Sequence, residues 1–162
     1  MSQPVKLAVV TGTRAEYGLL RPVIQNLMAC PEAELSVLVT GAHLAPEYGN
    51  TVAEIEADGV PVAARIPILA PGESGPLATA GAVERTIHGF VRWFAENRPA
   101  CVLVLGDRYE IFAVAQAAAR AIRQLASPGR GGHRPAMAAA RTAYLCREEA
   151  ARLFHVPDPE QV

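Results

Sequence analysis

Three short stretches hold side chains able to act on a ligand. A guanidinium sits in Thr11-Gly12-Thr13-Arg14, an imidazole in Thr40-Gly41-Ala42-His43-Leu44, and a carboxylate in Gly106-Asp107-Arg108-Tyr109-Glu110. Each stretch follows an apolar run, and small residues let backbone N–H groups face a bound molecule. Arg14 offers a fixed charge and a bidentate donor for phosphate, or it pairs with a surface carboxylate. His43 is either a rim group or a hydrogen-bonded turn histidine. Asp107, with Glu110 three residues on, matches a helix-capping arrangement that stabilises by about 1 kcal/mol. A cap can also serve as a catalytic or hydroxyl-binding carboxylate.

The elements around these turns follow from pattern. Lys6 to Val10 is apolar without alternation, as in a strand covered on both faces, so it belongs in the middle of a sheet. Leu20, Val23, Ile24 and Leu27 then repeat at helical spacing, with Pro22 suited to the helix's first turn. Leu35 to Val39 reads as a second buried strand, and Asn50 to Asp58 as a short helix closed by Gly59. A third strand around Ala63 to Ile68 is flanked by Pro61 and Pro67, which assigns it to an edge. Ala70 to Ala82 is rich in Gly and Pro and reads as a loop near the ligand rim. Val83, Ile87, Phe90, Val91 and Phe94 mark a packing helix, and Cys101 to Leu105 a fourth strand. Strands alternating with helices at this period imply an α/β chain with a doubly wound, mostly parallel, Rossmann-like sheet, whose ligands gather at the carboxyl ends of the strands.

Composition narrows the function classes. The 162 residues are 51% hydrophobic and suit one α/β domain with a proper core. A formal net charge of −1, from 15 basic and 16 acidic residues, gives no electrostatic footprint for nucleic acid or an acidic membrane. Cys30, Cys101 and Cys146 are widely spaced and lack C-x-x-C pairing, so neither a disulfide framework nor a metal site is indicated. Cytoplasm is the expected compartment. The first turn lacks G-x-G-x-x-G and G-K-[ST], which disfavours a dinucleotide cofactor and a Mg-dependent phosphate loop.

Taken together, VVTGTRAEYGLL, the GAHL turn followed by EYGNT, and VLVLGDRYE resemble the UDP-N-acetylglucosamine 2-epimerases, more closely the hydrolysing branch of sialic-acid and related nonulosonate pathways. The resemblance runs from about Lys6 to Ala119, and T-R-A-E-Y-G separates this branch from the non-hydrolysing one, which has a proline after the arginine. It implies the N-terminal half of a two-domain, glycosyltransferase-B-type fold with the nucleotide sugar between the domains. By the same resemblance Asp107 and His43 would be catalytic, and Gly12, Thr13, Arg14, Tyr17 and Arg108 would hold UDP through its diphosphate. The implied reaction removes the sugar's C2 proton, expels UDP to leave a glycal, and adds water to give N-acetylmannosamine. It calls for no cofactor and no metal. The implied partner is UDP-N-acetylglucosamine or a related UDP-sugar, and the chain could associate with itself. Two other readings stand beside this one: a UDP-binding module without chemistry, and a fragment of a glycosyltransferase of similar architecture.

Beyond Ala119 the likeness lapses. The family would continue with an apolar strand and a H-G-G-E motif; here Gly131-Gly132-His133 is a scrambled echo within RAIRQLASPGRGGHRPAMAAAR, and the glutamate is missing. The expected organisation is a Rossmann-like unit over 1–126, an aberrant Gly/Arg/Pro/Ala-rich segment over 127–143, and a remnant strand and helix over 144–162, with the second domain absent. Compensating frameshifts in the coding region would account for this lapse and recovery. Reading the DNA in all three frames should then uncover a H-G-G-E-like segment; its absence from every frame would sink the idea.

Overall fold

The computed structural model describes residues 3–126 and 141–145. Within them a five-stranded sheet, in the order β3-β2-β1-β4-β5, is built from β1 (Val5–Thr11), β2 (Ala33–Thr40), β3 (Val62–Ile66), β4 (Cys101–Leu105) and β5 (Arg141–Leu145). All neighbours run parallel, with Val9 opposite Val37 on one side and Leu103 on the other. The helices are α1 (Arg14–Met28), α2 (Val52–Ala57), α3 (Gly75–Asn97) and α4 (Tyr109–Ala126), with a 3-10 turn at Gly41–Leu44. The expected central strand is central. The expected edge strand lies at an edge, where its flanking prolines leave no ladder partner unpaired.

Alternation along the strands divides the core into two layers. Ala8, Val10, Leu38, Val102 and Val104 meet Phe90 and Phe94 of α3 and Ile111, Val114 and Ala117 of α4. On the other face Val9, Val37, Val39 and Leu105 meet Tyr17, Leu20 and Ile24 of α1 and Val52 and Ile55 of α2. One strand feeding both layers is the reason its sequence shows no polar alternation.

Three boundaries differ from the sequence reading. Helix α1 begins at Arg14, so Pro22 lies in its interior. Its start is set by Thr13 and Glu16, whose T-x-x-E spacing makes a capping box. Helix α3 begins at Gly75, so much of the expected Ala70 to Ala82 loop is helical. Pro76 occupies a favourable first-turn position there, and the alanines that follow are good helix formers despite Gly81. The buried stripe of α3 is Ala82, Thr86, Phe90 and Phe94, a slight rotation from the expected one. Strand β5 begins at Arg141, inside the segment assigned to 127–143; residues 127–140 and 146–162, including the remnant helix, lie outside the described residues.

Phe90 is fully enclosed between α3 and the sheet. Phe90→Ala should therefore destabilise by about 3–5 kcal/mol through lost burial and a residual cavity, read as the change in unfolding free energy in urea.

Candidate functional site

Strands β1 and β4 lie side by side while the chain winds away from them in opposite directions, which opens a crevice at their carboxyl ends. The β1 turn enters it first. Thr13 Oγ1 accepts from the Glu16 N–H at 3.3 Å, and the Glu16 carboxylate reaches back to the N–H groups of Gly12 at 2.8 Å and Thr13 at 3.2 Å. These are the donors that the sequence reading turned toward a ligand. A side chain of the same helix fills the anion position instead, complementing the positive end of α1. Glu16 is almost fully buried, and its carboxyl is pushed up to about 7, burial being the main cause and the nearby Glu110 charge adding to it.

The β2 turn is locked onto the β1 turn. Gly41 has φ +56, and a Cβ there would come within 2.9 Å of the Gly12 carbonyl oxygen, so only glycine permits this approach. His43 is fully buried between them. Its Nε2 lies 3.0 Å from the Thr11 hydroxyl and its Nδ1 2.7 Å from the Thr51 hydroxyl, while Tyr17 meets the ring edge-on. Burial holds the imidazole down at about 4, hence neutral at physiological pH. Both ring nitrogens are engaged, so this geometry makes His43 a clasp between β1, the β2 turn and α2. Tyr17 is likewise committed, donating to Asp58 Oδ2 at 2.7 Å.

The β4 turn differs from the capping arrangement expected of it. Helix α4 begins at Tyr109, and the Phe112 N–H bonds to the Arg108 carbonyl, which puts Arg108 rather than Asp107 at the cap position. Asp107 is exposed and makes no side-chain hydrogen bond among the described residues. Arg108 Nε pairs with Glu110 Oε1, and Glu110 is buried. Gly106, at φ +113, leaves room for Glu16: a Cβ would meet Glu16 Oε1 at 3.1 Å.

The three turns meet on an open cavity of about 310 Å³, lined by Thr13, Gly41, Tyr48, Leu69, Arg108 and Glu110 among others. Of the expected site residues, Thr13 and Arg108 line it. Gly12 lies behind it against Glu16 and Glu110. His43 and Tyr17 brace it from within the fold. Arg14 points elsewhere, to Glu54 of α2 at 3.0 Å, in an exposed pair. The buried carboxylates of Glu16 and Glu110 were not anticipated as site groups, although the capping-box spacing from Thr13 would have located the first. Among the described residues no cluster of three His, Cys, Asp or Glu could hold a metal, and no helix is long and apolar enough to cross a membrane.

A doubly wound parallel sheet with an open cavity at its switch point defines the α/β class of the fold. The profile of the UDP-N-acetylglucosamine 2-epimerase family matches residues 25–125, and the chain belongs to that family. The UDP-N,N'-diacetylbacillosamine 2-epimerase (hydrolyzing) of Legionella pneumophila is 44% identical over 114 residues, covering 70% of this chain and 30% of the relative. Polysialic acid biosynthesis protein P7 of Escherichia coli is 38% identical over 70% of this chain and 29% of its own. The crystal structure of UDP-GlcNAc 2-epimerase from Neisseria meningitidis bound to UDP-GlcNAc aligns with TM-score 0.58 and 26% identity, over 70% of this chain and 29% of that one. The chain thus spans about 30% of the length of the relatives it matches.

The buried imidazole makes stability pH-dependent. In the unfolded chain His43 takes up a proton below about 6.5, whereas in the folded one it does so only near 4, so stability falls as pH drops through that window. From pH 7 to pH 5, wild type should lose about 2 kcal/mol more than His43→Gln, measured by urea unfolding at the two pH values.

Proposed function

We propose that the chain supplies the sugar-binding side of a hydrolysing 2-epimerase acting on UDP-N-acetylglucosamine or a 2,4-diacetamido relative of it. The observation that carries this reading is the convergence of the β1, β2 and β4 turns on one cavity in a chain of this family. Arg108 lines the cavity, and we assign Asp107, its exposed neighbour in sequence, to the same rim. There a carboxylate can take part in proton transfer at the sugar, and a guanidinium can face the departing diphosphate. Loss of the C2 proton and of UDP across the C1–C2 bond leaves a glycal; water then adds across the double bond and delivers the epimerised sugar. The sequence of steps is redox-neutral, so it requires no nicotinamide.

The remaining residues take supporting parts. Arg14 can reach the diphosphate by leaving Glu54, because an exposed ion pair contributes only about 0–1 kcal/mol. Gly12 and Thr13 contribute shape, since their N–H groups already serve Glu16. His43 fixes the relative position of the β1 and β2 turns. Free thiols at Cys30 and Cys101 suit a cytoplasmic setting.

Orientation of the sugar from both sides supplies much of the rate in such chemistry. The 162-residue chain by itself should therefore bind UDP-N-acetylglucosamine without turning it over. Calorimetric titration should show saturable binding that Arg108→Ala weakens about 5-fold or more, as for loss of a charge-assisted hydrogen bond. Assays for free UDP should stay at background; steady release would overturn the separation of binding from turnover, and absence of binding would overturn the proposed ligand.

A further inference from the structure

We propose that Arg85 is a positioning residue for the cavity: from α3 it ties down the connection that follows β3, and so sets how Leu69 of that connection meets the sugar of a bound nucleotide sugar. The ligand rests on the reading above; the tether does not.

Residues 67–74 link β3 to α3. Gly72, at φ +78, turns the chain, and the Glu73 N–H bonds back to the Ala70 carbonyl at 3.3 Å. Ile68 is the one residue of this stretch that is buried, so packing anchors the connection only where it leaves the sheet. Arg85 supplies the rest. Its Nε donates to the Ile68 carbonyl at 2.7 Å and its Nη2 to Glu73 Oε2 at 2.8 Å. Among the described residues no other side chain hydrogen-bonds to 67–74. A planar guanidinium presents both donors at once in a fixed geometry, so one side chain grips the connection near each of its ends.

Helix α3 has room for this grip. Side chains on a helix lean toward its N-terminus, over the residue four places back, and for Arg85 that residue is Gly81. A Cβ there would meet Arg85 Nη1 at 3.2 Å and Nη2 at 3.4 Å, so the space that the glycine leaves is taken by the guanidinium.

The tether reaches the ligand cavity through a single peptide. The carbonyl that Nε holds belongs to the planar unit leading into Leu69, and fixing that plane fixes the chain's direction there. Leu69 lines the cavity on which the three turns meet. With Tyr48 and Tyr109 it also lines a second cavity, of about 280 Å³, which Arg85 and Glu73 line as well. An apolar side chain offers contact to a sugar ring or an acetamido methyl and nothing to a diphosphate. A wall held before the ligand arrives needs no ordering on binding, whereas a loose one must be ordered then, at the expense of affinity. The effect of Arg85 therefore falls on the sugar.

NMR on the 162-residue chain and its Arg85→Met variant tests both parts. Methionine keeps an unbranched stem and good helix propensity while removing every donor. Backbone order parameters of the amides from Leu69 to Ser74 should stand at about 0.85 in wild type and fall below about 0.6 in Arg85→Met. Glu73→Gln, at an exposed position, should lower them by less, and it carries the comparison should Arg85→Met not fold. Order parameters unchanged in a folded variant would overturn the tether. Titration with UDP-N-acetylglucosamine should shift the Leu69 methyl signals of wild type, and its dissociation constant should rise about 5-fold in Arg85→Met. UDP should leave Leu69 unmoved and bind both chains alike. An equal loss for UDP, no loss for the nucleotide sugar, or Leu69 methyls unmoved at saturation would overturn the positioning role. A connection loosened by Arg85→Met in a chain that binds no nucleotide sugar would leave the tether standing and overturn the proposed function, and with it the sugar contact.

Discussion

The Glu16 carboxylate is the constraint on which the crevice depends. It closes the N-terminus of α1, holds the β1 turn through two N–H groups, and fills the space that Gly106 leaves open beside β4. A shorter aspartate would reach the cap less well, and a neutral apolar side chain would leave two buried N–H groups unsatisfied. The β4 turn packs on this carboxylate through Gly106, just before Asp107 and the cavity-lining Arg108. Helix α1 is thereby self-contained at the end where open α/β sheets usually receive an anion.

From that constraint the division of labour around the cavity becomes clear. The two turns on the β2 side are bound to each other by Gly41 against the Gly12 carbonyl and by His43 between Thr11 and Thr51. These groups are buried and saturated, so they give the site its shape. On the β4 side Asp107 and Arg108 are exposed, and Arg108 lines the cavity. Charge follows the same division: a neutral imidazole on one side, a guanidinium and carboxyls on the other.

Much of the architecture could be read from the chain. The unalternating run before Thr11 placed β1 at the centre, and Pro61 and Pro67 placed β3 at the edge, because each pattern reports burial or ladder pairing directly. The family could also be read, from three ordered motifs. Side-chain commitments were less legible. Arg14 looks like a phosphate ligand in sequence, yet its partner Glu54 lies forty residues on and only the packing of α2 brings it near. The cap expected at Asp107 falls at Arg108 instead, because Gly106, at φ +113, carries the chain through a turn and α4 begins only at Tyr109. Glu16 escaped notice as a site group since its burial depends on two glycines from different strands.

The contact between Gly41 and Gly12 makes one wall of the cavity a rigid body. A larger or smaller guest cannot be accommodated by spreading those two turns, for they have no slack between them. The lining also includes Tyr48, which is exposed, and Leu69 of the connection after β3. Any fitting of the cavity to guests of different bulk would then fall to that connection and not to the glycine-locked turns.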